Sequence, residues 1–226
     1  FLNQFMPGHS QTSVIGLNFG YGYSIPLADL STRYGGHLGF SANAEYQSKG
    51  RFSYMIEWRY IFGTTVKSDV LAPFRQEDGL LIGIDGIAAD LYYRMRGQSF
   101  TIGMSTGLGK KRSKPLLGAA VGPVFYKTVI LDDNRSYIQP TGVYEQLYDQ
   151  RTTGFLLKVM PGYHFITDNE LINAKLIFDI GLGFSKFNKS SPYNPIQKQS
   201  LNDVSLGMTA YWFIPLKKFG ETEIKF

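Results

Sequence analysis

Imidazole bases are scarce in this chain. Its 226 residues hold three histidines, His9, His37 and His164, and no cysteine. Without cysteine there is no disulfide framework, no thiolate zinc site and no thiol nucleophile. A serine hydrolase or acyltransferase needs a hydroxyl, an imidazole and a third polar group within mutual reach, and Asp29, Ser31 and His37 form such a grouping along one connection. Spacing around a loop is weak evidence for a triad, however, and a capping or structural histidine produces the same pattern. The reading is that no residue is catalytic and that the chain is not an enzyme. His164, close to Lys158, likewise reads as structural.

The run Gly103–Lys110 imitates a phosphate loop, but Met104 stands where the first glycine belongs and Lys111 where Ser or Thr should follow. It is rejected. Asn134-Arg135-Ser136 and Asn188-Lys189-Ser190 match the glycosylation sequon, a frequent chance match. No pattern calls for a metal or a cofactor. The net charge is +5, yet Lys and Arg are scattered, and the densest cluster (Lys110, Lys111, Arg112, Lys114) is short. That cluster reads as a solvated turn, with contact to anionic lipid heads as the sharper reading, and nucleic acid is not expected as a partner.

More informative are charges on one face of otherwise apolar segments. Glu45, Glu57 and Asp179 oppose Arg51, Arg59, Lys158 and Lys175, nearly balanced in sign. If that face is an enclosed interior, the charges must pair. The expectation is a lumenal ion-pair network of Glu45, Glu57, Arg59, Lys158, Lys175 and Asp179; a proton or ligand path is the alternative.

Two-residue alternation defines that face. From Ile15 to Ile25 the odd positions are Ile, Leu, Phe, Tyr, Tyr and Ile, while the even ones are Gly, Asn, Gly, Gly and Ser. Segments beginning at Leu38, Phe52, Phe100, Phe155, Ile172 and Val204 split the same way, and 116–131 does so more weakly. A soluble sandwich would place Lys, Glu and Thr on its polar face. Here Gly, Ser, Thr and Asn dominate, which suits a cramped interior. The apolar face carries aliphatics in mid-strand and aromatics toward the ends: Tyr21, Tyr23, Tyr46, Tyr60, Phe62, Tyr163, Phe165 and Trp212. That distribution fits an aromatic girdle at two membrane interfaces.

The expected fold is therefore all-β, a transmembrane antiparallel up-and-down β-barrel forming one domain over 1–226. Eight strands are predicted at 13–26, 36–47, 51–63, 88–108, 116–131, 152–166, 171–187 and 202–216. Residues 48–50, 109–115 and 167–170 are read as short periplasmic turns, and 27–35, 64–87, 132–151 and 188–201 as longer outer loops. Residues 1–12 are read as a periplasmic arm and 217–226 as a periplasmic tail. Apolar parity switches between Leu91 and Phe100, which predicts a bulge near Arg96-Gly97. An extra hairpin there, with 136–147 as a further strand, gives the ten-strand alternative. Leu80, Ile84, Ile87 and Leu91 also fit a helix face, but Gly79, Gly83 and Gly86 oppose it.

Aromatics make up 15% of the chain and charged residues 18%, too rich in rings for an ordinary soluble domain. No apolar run is long enough for a spanning helix. The first ten residues lack the features of a secretory signal, which is either absent or already removed. The bacterial outer membrane is the expected location.

With its alternating strands, aromatic strand ends and terminal Phe226, the chain resembles the small outer-membrane barrels of the OmpA transmembrane domain and OmpX families. In those families a final aromatic serves as an assembly signal, and Ile224 and Phe226 keep the alternation. More loosely, Tyr144–Phe187 resembles a family of uncharacterised barrels from bacteria with large lipoprotein-export and type IX secretion machines. Asp149, Arg151, Gly154, Gly162, Tyr163, Asn173 and Gly183 fall on its recurring positions. That resemblance implies no catalytic residue. It implies an accessory subunit of an outer-membrane assembly or secretion complex, with lipid and other outer-membrane or periplasmic proteins as partners. Tyr137, Tyr144, Tyr148 and Tyr193 in the long connections would supply a binding surface. A lipid-modifying enzyme and a small passive pore are the alternatives.

Overall fold

The computed structural model describes residues 13–49, 52–69, 71–72, 77, 81–82, 88–89, 92–109, 113–131, 151–167, 173–187 and 200–219. Eight long strands form: β1 (Ser13–Leu27), β2 (His37–Gln47), β3 (Phe52–Gly63), β4 (Tyr92–Gly107), β5 (Lys114–Leu131), β6 (Thr152–Ile166), β7 (Asn173–Phe187) and β8 (Leu201–Phe219). Each pairs antiparallel with its neighbours in the chain, and β1 pairs with β8 to close the barrel. Closure leaves no free sheet edge. Parity then sorts every side chain: along β1, Asn18 and Ser24 are buried, while Tyr21, Tyr23 and Ile25 are about half exposed.

The parity switch has neither of the expected causes. β4 keeps one unbroken register against β3 and β5 through Arg96 and Gly97, with Phe62 opposite Arg96 and Lys127 opposite Arg96 on the other side. There is no bulge and no hairpin at that point. Met95 points inward and is fully buried, because at that level the barrel interior is itself apolar. The predicted 88–108 strand also begins later, at Tyr92; Ala88–Ala89 pairs instead with Leu81–Ile82 in a separate two-residue ladder. The barrel has eight strands, and residues 136–147 of the ten-strand alternative lie outside the described residues.

A register shift does occur elsewhere, between Ile15 and Gly16, where the partners in β8 step from Lys217 to Pro215. Proline has no N–H for the ladder, so a bulge beside Pro215 is where sheet geometry tolerates it. Beyond the bulge β8 runs on through Phe219, pairing with Ser13. The proposed tail is thus corrected in part: 217–219 belong to the barrel wall, and 220–226 lie outside the described residues, as does the arm at 1–12.

The connection 27–35, expected to be one of the longer outer loops, contains a helix, α1 (Ala28–Arg33). Ala28 takes a left-handed backbone with φ of 48°, which turns the chain sharply off β1 and over the barrel mouth. No side-chain hydrogen bond caps the helix start, so packing rather than local sequence holds it.

Candidate functional site

The interior is built from the end of β1 downward. α1 buries Leu30 and the following Tyr34 almost completely. Beneath them pack Ile61, Met95, Val124, Tyr126 and Leu156, contributed by β3, β4, β5 and β6. Arg33 points down from α1 and donates from Nη2 to Oδ1 of Asp203 at 2.6 Å and from Nη1 to Oγ1 of Thr152 at 3.3 Å. Asp203 also accepts from Ser185 Oγ at 2.5 Å. The Tyr34 hydroxyl meets Thr128 Oγ1 at 3.2 Å, and burial pushes the phenol pKa up. The backbone after β3 secures the cap from above: Gly35 N donates to Thr65 O at 2.9 Å and Lys67 N to Arg33 O at 2.8 Å.

Below the cap the inward charges are joined in pairs across the lumen. Arg59 donates to Asp179 at 3.2 Å, Lys158 pairs with Glu57, and Lys175 pairs with Glu45. Each carboxylate has further donors. Thr209 Oγ1 reaches Asp179 at 3.0 Å, the Tyr211 hydroxyl reaches Glu57 at 2.5 Å, and Asn18 Nδ2 reaches Glu45 at 2.8 Å. All six expected lumenal residues are buried, and the pairing compensates their desolvation. Arg51 lies outside the described residues. The pair sequence reasoning missed is Arg33–Asp203. Asp203 sits on the same inward parity as Thr209 and Tyr211, so half of that signal was present.

Small residues make this filling feasible. The rings of Tyr211 and Phe213 lie across β1 at Gly20 and Gly16, where any added Cβ would come within 2.5 Å and 2.3 Å of ring carbons. Leu116, Ala120, Met160 and Ile177 form one buried apolar cluster with Tyr211. The cavity among Asn18, Glu45, Glu57 and Lys175 has about 30 Å³, about the volume of one water.

The residues weighed for rim chemistry are engaged in local structure. Ser31 donates to Ala28 O at 2.7 Å, Asp29 accepts from Asn202 N at 2.8 Å, and His37 Nδ1 lies 3.4 Å from Gly35 O. No hydrogen bond joins the three, among the described residues. His164 Nε2 meets Asn173 Oδ1 at 2.6 Å. His9, Lys110–Arg112, both sequons, Asp149, and the tyrosines at 137, 144, 148 and 193 lie outside the described residues.

The outer surface decides the environment. Ile56, Ile102 and Phe184 are 66%, 62% and 64% exposed, within an apolar belt that continues round all eight strands. A soluble monomer does not expose so large an apolar area, and here polar groups are turned inward and apolar ones outward. The chain is a membrane-spanning β-barrel. Its architecture is that of the outer-membrane type, with a filled lumen and long and short connections alternating between its two ends. Of the eight girdle residues, all outward, Tyr21, Tyr23, Tyr60 and Phe62 lie toward the long connections. Tyr46, Tyr163, Phe165 and Trp212 lie toward the short turns.

No protein-family model and no curated protein matches the sequence. Among solved structures the barrel is similar to the attachment invasion locus protein Ail of Yersinia pestis in complex with the heparin analogue sucrose octasulfate. There identity is 10%, 90% of this chain and 99% of that one are covered, and the TM-score is 0.47. It is also similar to Neisserial surface protein A, at 10% identity, 89% and 97% coverage and a TM-score of 0.48. A third likeness is to the Yersinia pestis outer membrane protein Ail in a phospholipid nanodisc, at 13% identity, 88% and 99% coverage and a TM-score of 0.36. At these values the likenesses add nothing to the barrel that strand pairing already closes.

Proposed function

We propose that this chain is a non-enzymatic integral barrel of the bacterial outer membrane, acting as a structural or accessory subunit of a protein complex in assembly or secretion. The observation that carries this reading is the filled lumen. Four buried ion pairs, two apolar clusters and the α1 cap occupy the space that a pore or a substrate channel would need. What such a barrel offers to other molecules is its outer wall and its connections. In the proposed orientation the short turns face the periplasm, and α1 and the long connections face outward. Lipid surrounds the belt between the two aromatic girdles, and other outer-membrane or periplasmic proteins are the functional partners, without cofactor or nucleic acid. The loose resemblance of Tyr144–Phe187 to accessory barrels supports the same assignment.

The test is co-purification of the full chain from mild detergent extracts of its native membrane. A stoichiometric protein partner is expected, and a barrel recovered alone counts decisively against an accessory role. Planar bilayer recording supplies an independent check. The capped lumen should give no unitary conductance, whereas steady channel openings would replace this reading with that of a passive pore.

A further inference from the structure

Asn18 of β1 is 1% exposed, and its partners fix which way its amide faces. Nδ2 donates to Oε2 of Glu45 at 2.8 Å and to Oδ1 of Asn43 at 2.6 Å. Glu45, ion-paired with Lys175, can only accept, so the amide cannot be turned round and Oδ1 faces away from that carboxylate. This amide oxygen is buried and has no hydrogen-bond partner among the described residues. A buried acceptor left bare costs its full desolvation, and native interiors supply a protein or water partner for nearly all such groups.

Asn18 lines the cavity of about 30 Å³, together with Asn43, Glu45, Glu57, Lys175 and Tyr211. Two of these groups keep hydrogen-bonding capacity. The Lys175 ammonium has three N–H donors; one serves Glu45, and the charge lies 5.3 Å from the centre of the Phe213 ring. Glu57 accepts one bond on each oxygen, from Lys158 and from the Tyr211 hydroxyl, and each oxygen retains a further lone pair. Charge narrows the ligand. Glu45 and Glu57 are matched by Lys175 and Lys158, so an added ion of either sign would be buried without compensation. The volume suits one water and nothing organic. We propose that this cavity binds a single water molecule, which donates to Asn18 Oδ1 and to Glu57 and accepts from Lys175. Three bonds are typical of a buried water. The water joins the Glu45–Lys175 pair to the Glu57–Lys158 pair, making one polar network across β1, β2, β3, β6 and β7. It belongs to the barrel itself and does not depend on the accessory role.

A high-resolution crystal structure of the full chain from detergent tests this, with a second crystal held under xenon pressure. One water peak should lie within hydrogen-bond distance of Asn18 Oδ1, and xenon should stay out, because xenon enters dry apolar cavities. Ser105→Thr adds one methyl group to the same lining. The water peak should then be lost, and the folding equilibrium constant from urea unfolding should fall about tenfold as Asn18 Oδ1 loses its partner. In a dry cavity the same methyl would fill a void and raise the urea midpoint. Heat-modifiable gel mobility verifies folding of the variant, and the wild-type crystals decide the matter if it does not fold. Xenon in the cavity, a metal ion in place of the water, or a higher midpoint for Ser105→Thr overturns the proposal. So does a protein donor found on Asn18 Oδ1.

Discussion

Nη2 of Arg33 lies 2.6 Å from the carboxylate of Asp203, tying the first connection of the chain to its last strand. The same strand is held a second time where Asn202 N donates to Asp29 Oδ2 at 2.8 Å, so α1 clasps the β1–β8 seam that closes the barrel. Both charges are buried, so removing one strands the other. Arg33→Ala and Asp203→Ala should each lower unfolding free energy in urea by about 3 kcal/mol or more. Their combination should lose less than the sum, since neither charge is then left alone. Strict additivity in that cycle would show that the pair is not coupled.

Tyr34 gives the cap a pH dependence. Burial raises its phenol pKa above the ordinary value of 10.0. The neutral phenol is therefore favoured in the folded state, and its contribution is complete below about pH 10 and lost as pH rises through the raised folded value. Tyr34→Phe should show less alkaline destabilisation than the wild type between about pH 9 and 12. Near neutrality it should be weaker by about 1 kcal/mol, for the lost bond to Thr128. Parallel stability curves for the two proteins across the alkaline range would refute this.

Strand periodicity was legible in the sequence because alternation is local: each strand shows its two faces without knowledge of its neighbours. The inward charges could be recognised on the same grounds, but not their partners, since pairing Glu57 with Lys158 joins residues 101 positions apart. Apolar residues at the level of the cap misled the reading. Met95 and Ile61 are inside because α1 covers them, and no local pattern in β3 or β4 announces a helix donated by another connection. α1 itself has six residues and no side-chain cap, too little for a periodic signal. Arg33 was invisible for the same reason, and its role depends wholly on where the helix lands.

Glycine on the inner face of β1 has a consequence for the ion pairs. The ring of Tyr211 lies against Gly20, and its hydroxyl is 2.5 Å from Glu57. Gly20→Leu must displace the ring and with it a donor to a buried carboxylate. A loss of about 2–4 kcal/mol is expected, combining overpacking with the broken hydrogen bond. Tyr211→Phe should lose only the hydrogen-bond share, about 1.5–3 kcal/mol for a charged acceptor. If Gly20→Leu folded with wild-type stability, the close approach of ring and backbone would have no structural role.

A single outward substitution separates a lipid-facing wall from a wet one. Ile102 is 62% exposed and pairs with outward Ile56 on β3 and Val121 on β5, so it has apolar neighbours on both sides. In water, Ile102→Arg at so exposed a position would change stability by less than about 0.5 kcal/mol. In a bilayer the guanidinium must leave water, at about 2–4 kcal/mol near the midplane and much less at the interfaces. Urea unfolding from phospholipid vesicles should therefore show a large loss for Ile102→Arg and a small one for Tyr23→Arg, which lies in the girdle near the long connections. The depth dependence carries the argument, because a purely structural defect at Ile102 would not ease toward the rim. Equal, small effects at both positions would mean that this apolar wall does not face lipid.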